Sequence, residues 1–101
     1  MMKTIKITFE YECHFIWEYD EWGHLIGNKA ISEYPLSKEL IKDIVELEDI
    51  YQRTYNRAEP QSSGFPSAEI EEAFYNRVKN KIILLKEELS GKYHIKLPSW
   101  L

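Results

Sequence analysis

The sequence predicts an α+β fold: a two-layer sandwich in the order β-β-α-α-β, with two antiparallel helices lying on one face of an antiparallel sheet. Three observations carry that expectation. Residues 5–19 alternate apolar and polar almost without interruption; two long stretches behind serine caps repeat apolar residues at helical spacing; and a short alternation returns near the C-terminus.

The first element is the clearest. Ile5, Ile7, Phe9, Tyr11, Cys13, Phe15, Trp17 and Tyr19 share one parity, and the intervening positions are polar except Ile16. Period 2 is the mark of a strand with one face on a core. The run exceeds the usual strand length of about 5–6 residues, so a bend, a bulge or pairing with two partners is expected. Asp20-Glu21-Trp22-Gly23 supplies turn chemistry, and His24-Leu25-Ile26-Gly27 returns as the second strand of a hairpin. The segment from Asn28 to Leu36 is a connector, with a short strand around residues 30–33.

Pro35-Leu36-Ser37 opens the first helix, with Ser37 as N-cap. Leu40, Ile44, Leu47 and Tyr51, flanked by Ile41 and Tyr55, make its apolar stripe and place it over residues 38–55. A linker over residues 56–66, rich in Pro, Ser and Gly, breaks the pattern. Ser67 then caps a second helix with the stripe Ile70, Phe74, Val78, Ile82, Leu85 and Leu89, which Gly91 ends. Glu69, Glu71 and Glu72 favour its positive N-terminal end. Tyr93, Ile95 and Leu97 form the last strand. The long first strand is positioned to pair with both others.

At 101 residues the chain is one domain, 1–101, and its composition is that of a globular protein. A net charge of −4 opposes sequence-independent nucleic-acid binding, which needs clustered Lys and Arg. One cysteine excludes an intrachain disulfide. No apolar run approaches the roughly 20 residues that span a bilayer, and the N-terminus has no signal-peptide pattern, so the expected location is the cytoplasm.

No catalytic, cofactor or metal constellation emerges. Cys13 belongs to the core phase of the first strand and His14 to its opposite face, so they form no nucleophile–base pair. His14, His24 and His94 lie in separate places, without metal-ligand spacing. Ser62-Ser63-Gly64-Phe65-Pro66 lacks the phosphate-loop spacing; Phe65 instead suits a hydrophobic staple to Ile70 or a neighbour. Two features point outward. Glu39, Asp43 and Glu46 form a carboxylate stripe on the first helix, either a solvated face or an acidic docking surface. Trp22, in the hairpin turn, is either an interface anchor or a lid folded over the hairpin end.

Taken in order, Trp17 with Asp20 and Gly23, Pro35-Leu36-Ser37, Pro60-Gln61-Ser62-Ser63-Gly64-Phe65-Pro66 and Glu88-Leu89-Ser90-Gly91 resemble a family of small bacterial cytosolic proteins over nearly the whole chain. Such proteins are similar to the immunity proteins of polymorphic toxin systems. The resemblance implies a non-enzymatic module that binds and neutralises a cognate toxin domain, with no catalytic residue to carry over. The partner expected for an acidic module is a basic protein domain, contacted through Trp22, Glu39, Asp43 and Glu46, by a monomer or homodimer. The alternatives are a small enzyme or ligand-binding protein with a pocket near Tyr11, Glu12 and His14, and a self-assembling structural protein.

Overall fold

A computed structural model describes residues 2–99. Four strands form one sheet: β1 (Lys3–Ile7), β2 (Ile16–Tyr19), β3 (Leu25–Lys29) and β4 (Tyr93–Lys96). Two helices, α1 (Lys38–Gln52) and α2 (Ala68–Glu88), lie between β3 and β4 in the chain. The spatial order is β3-β2-β1-β4; β2 is antiparallel to both neighbours, whereas β4 runs parallel to β1. The α+β class is as expected. The purely antiparallel sheet and the β-β-α-α-β order are not: the sheet is mixed, with three strands before the helices.

The long first strand accounts for the difference. It is two strands, β1 and β2, which pair with each other in the register Ile5↔Glu18 and Ile7↔Ile16. Residues 8–15 form the loop between them, closed where the Thr8 N–H donates to the Phe15 carbonyl at 3.0 Å. The parity of the chain reverses inside that loop. Ile5, Ile7, Ile16 and Glu18 face the helices and are buried, while Trp17 and Tyr19 take the outer face, half-buried. Ile16, the exception to the alternation, is therefore a core residue, and Trp17 and Tyr19 are not on the core face.

β3 begins one residue later than expected and runs on to Lys29, with a bulge that leaves Ile26 outside the register between Leu25 and Gly27. The expected strand near residues 30–33 is a 3-10 turn, Ile31–Glu33, with Ile31 buried. α1 stops at Gln52, three residues early. Beyond it the Thr54 hydroxyl donates to the Tyr51 carbonyl, and the Gly64 N–H donates to the Thr54 carbonyl, so the chain leaves the helix axis.

Ser37 and Ser67 cap the helices, accepting from the N–H groups of Leu40 and Ile70. Gly91, at φ +81°, takes the left-handed conformation that turns the chain into β4. The helices are antiparallel: Asp43 meets Lys81 at 2.8 Å, Glu46 meets Arg77 at 3.1 Å, and the Glu88 carboxylate accepts from the Ser37 N–H and hydroxyl at the far end. Leu40, Ile44 and Leu47 from α1 and Phe74, Val78, Ile82, Leu85 and Leu89 from the α2 segment form one core with Ile5, Ile7, Phe15 and Ile16. Ile70 remains half-exposed, and Phe65 packs on Phe74 instead, ring centroids 4.9 Å apart.

Candidate functional site

The loop over residues 8–15 organises one flank of α1. Phe9 and Phe15 lie against each other and against Tyr51. The Tyr11 ring stacks on both Tyr51 and Tyr55, at 4.9 and 4.8 Å. Its hydroxyl donates to the Thr54 hydroxyl at 2.8 Å, since the latter's own proton is directed to the Tyr51 carbonyl. Burial, reinforced by Tyr11, pushes the Tyr51 phenol up to about 12. Tyr11 is thus a structural wedge.

Between these rings the backbone is tied by one side chain. Gln52 accepts from the Glu12 N–H at 2.7 Å and donates to the carbonyls of Glu10 and Cys13, each at 3.1 Å. Glu12 has φ +64°, an unfavourable conformation for a residue with a side chain, and the Gln52 amide holds it there. At the end of the loop, Asn28 on β3 accepts from the His14 N–H and donates to the His14 and Ile16 carbonyls. Cys13 is consequently a half-buried loop residue, not a member of a strand's core face.

These ties leave an open cleft of about 710 Å³ between the loop, the 3-10 turn and α1. Glu12, Cys13 and His14 form one wall, Ala30, Ile31 and Ser32 another, and Val45, Glu48, Asp49, Gln52 and Tyr55 the α1 side, with Arg57 at one end. Glu48 is the unusual residue. It is only 8% exposed, yet it lies on a helix whose other carboxylates are at the surface. Its Oε2 accepts from the buried Phe15 N–H at 3.0 Å and lies 3.3 Å from His14 Nδ1. Sequence reasoning missed Glu48 because 48 follows Leu47 in the helical repeat. The available signal was its place one turn after Ile44, on the edge of the apolar stripe.

The partner-binding residues singled out from the sequence, Trp22, Glu39, Asp43 and Glu46, lie apart from this cleft. Trp22 stands 71% exposed at the hairpin tip, where Asp20 accepts from the Trp22 and His24 N–H groups. The His24 and Trp22 N–H groups hold the Asp20 carboxyl below the usual carboxylate range. Glu39 is exposed without an ion-pair partner among the described residues. Asp43 and Glu46 are engaged by α2, and the Lys81 ammonium holds the Asp43 carboxyl low. Glu12 and His14 line the cleft; Tyr11 does not. Among the described residues no group of three or more His, Cys, Asp or Glu side chains is placed to hold a metal ion, and no helix is long and apolar enough to cross a membrane.

A mixed four-stranded sheet with one face under two antiparallel helices, and a cleft opened by a tied-down loop, defines the architecture. The chain belongs to the Serratia CdiI immunity protein-like family, whose match spans residues 3–99 and bears out the resemblance to polymorphic-toxin immunity proteins. No curated protein matches the chain.

Proposed function

We propose that this protein is an immunity protein that binds a cognate toxin domain in the cytoplasm and neutralises it by occlusion, without chemistry of its own. The observation that carries this reading is the family match over residues 3–99. The arrangement of surface groups is compatible with it. Trp22 offers a large amphipathic ring from a turn fixed by Asp20, which limits the ordering cost of contact. Glu39 offers a free carboxylate beside Asp43 and Glu46, whose charges a basic partner would share with Lys81 and Arg77.

Co-expression of the chain with its cognate toxin domain tests the proposal. Wild-type protein should protect cells and form a one-to-one complex by calorimetry. Trp22→Ala should weaken that complex by about 2 kcal/mol, roughly thirtyfold, with an unchanged thermal midpoint. Replacing Glu39, Asp43 and Glu46 by amides should weaken it further and flatten its salt dependence. Amides are preferable to lysines, which would be set against Lys81 and Arg77 and confound binding with stability. Failure of the wild-type chain to bind or protect would overturn the reading.

A further inference from the structure

We propose that the cleft beside Glu48 is a receptor for one cationic side chain, a guanidinium or an ammonium, presented by the partner; this rests on the reading of the chain as a toxin-binding protein. The argument begins with the unequal use of the two Glu48 oxygens. Oε2 is committed to the Phe15 N–H and approached by His14. Oε1 has no hydrogen-bond partner among the described residues, and it is not among the side-chain atoms sealed from solvent without one. Since Glu48 as a whole is 8% exposed and lines the cleft, that oxygen opens into the cleft.

A carboxylate that is largely desolvated and half satisfied attracts a cation more strongly than a surface carboxylate, because little water is left to displace. Nearby cations are already spent. Arg53 is paired with Asp49, and Arg57 lies 3.4 Å from Glu12. Glu12 and Asp49 each have a guanidinium beside them, whereas Glu48 has no Lys or Arg partner among the described residues; its Oε2 meets only the Phe15 N–H and the His14 ring. The walls suit a long aliphatic stem ending in charge: Val45 is half-exposed, and Ala30 and the Tyr55 ring complete an apolar approach. An anion would meet the Glu48, Asp49 and Glu12 carboxylates and be repelled. The volume, about 710 Å³, is ample for a single side chain and its flanking backbone.

The test uses the isolated, full chain with small probes. Acetyl-arginine amide and acetyl-lysine amide are titrated against the ¹⁵N-labelled protein, with acetyl-citrulline amide as the neutral isostere of arginine. The expected result is a saturable shift of the His14 and Phe15 amide resonances with a cationic probe and none with citrulline; the two cations separate guanidinium from ammonium recognition. Glu48→Gln, which retains an acceptor for the Phe15 N–H, should weaken probe binding about tenfold or more, the loss of one charge-assisted contact. Val45→Arg places a tethered cation one helical turn before Glu48 at an exposed position and should block the probe whether or not Glu48→Gln is well folded. Equal shifts with citrulline, or unchanged arginine and lysine binding in both variants, would overturn the proposal. Because the titration contains no toxin, its outcome is separate from the protection assay: a chain that protects no cell but binds the cationic probes through Glu48 retains the site and loses only the toxin as its occupant.

Discussion

The two flanks of α1 carry similar carboxylates and use them differently. Toward α2, Asp43 and Glu46 meet Lys81 and Arg77 across a solvated seam. Toward the loop over residues 8–15, Glu48 is buried against a backbone N–H, and Gln52 binds three backbone groups. The first flank exchanges charge with charge in water, an arrangement that contributes little to stability because screening and side-chain entropy offset the attraction. The second satisfies backbone groups that a loop cannot satisfy alone, and removing one partner there strands the other. The one buried carboxylate of the helix, Glu48, is on the second flank, and one of its oxygens is left open. An acidic residue's availability to a partner is therefore set by what the rest of the fold has already done with it, not by its presence on an outward helix position.

The comparison breaks most visibly at Glu48. Glu48→Ala removes the acceptor of the buried Phe15 N–H and should lower stability by about 1–3 kcal/mol, read as a fall in urea midpoint at constant m-value. A change indistinguishable from that of Glu46→Ala, whose carboxylate faces Arg77 across the solvated seam, would abolish the distinction between the flanks.

Gln52→Ala comes next. It frees the Glu12 N–H and the carbonyls of Glu10 and Cys13, all of which water can reach in part, so the expected cost is lower, about 1 kcal/mol. The sharper readout is local: amide exchange should accelerate at Glu12 through His14 while the β1–β2 ladder keeps its protection. Uniform acceleration across the sheet would mean that the loop is not an independent unit.

The helices, both serine caps, the linker and the glycine end of α2 are legible in the sequence because each rests on local chemistry: a hydroxyl at the N-cap, a 3.6-residue stripe, a residue that tolerates positive φ. The pairing of β1 with β4 follows from the same kind of reading, although its parallel sense does not. What local pattern conceals is the loop at residues 8–15. Phe9, Tyr11, Cys13 and Phe15 continue the alternation of β1 through the point where the strand stops, because aromatic rings are needed there as well, to pack on Tyr51, Tyr55 and Phe74. An apolar residue at every second position looks the same whether it faces a sheet's core or clamps a loop to a helix. Ile16, out of phase with the run, was the one residue that recorded the reversal. For the site, local pattern leaves Trp22 either exposed or folded over the hairpin end, because nothing nearby in sequence fixes what a turn side chain can reach; in the fold it is exposed. The engagement of Asp43 and Glu46 by α2 is not legible either, since it depends on the relative register of two helices.

The smallest expected effect lies on the α2 flank, and its sign can be worked out from Asp43. The Lys81 hydrogen bond lowers the folded-state pKa of Asp43 below its ordinary value of 3.8. A carboxylate whose folded pKa is depressed contributes stability that is fully present above the unfolded pKa and is lost as pH falls through the folded one. Asp43→Asn should therefore lower the thermal midpoint slightly at neutral pH. The gap to wild type should begin to narrow as pH falls below the ordinary value of 3.8 and vanish only below the depressed folded-state pKa, where both proteins present an uncharged side chain to Lys81. Asp20, held low by the His24 and Trp22 N–H groups, titrates in the same acid window, so the acid limb of the wild-type stability curve should persist in Asp43→Asn in reduced form. Because the Asp43–Lys81 pair is open to solvent, added salt at neutral pH should shrink the same gap, whereas the Glu48→Ala deficit, which originates in a buried N–H, should be insensitive to it. A salt-insensitive Asp43→Asn deficit that survives into acid would show that Asp43 acts through packing and not through its charge, and the two flanks of α1 would then differ in degree only.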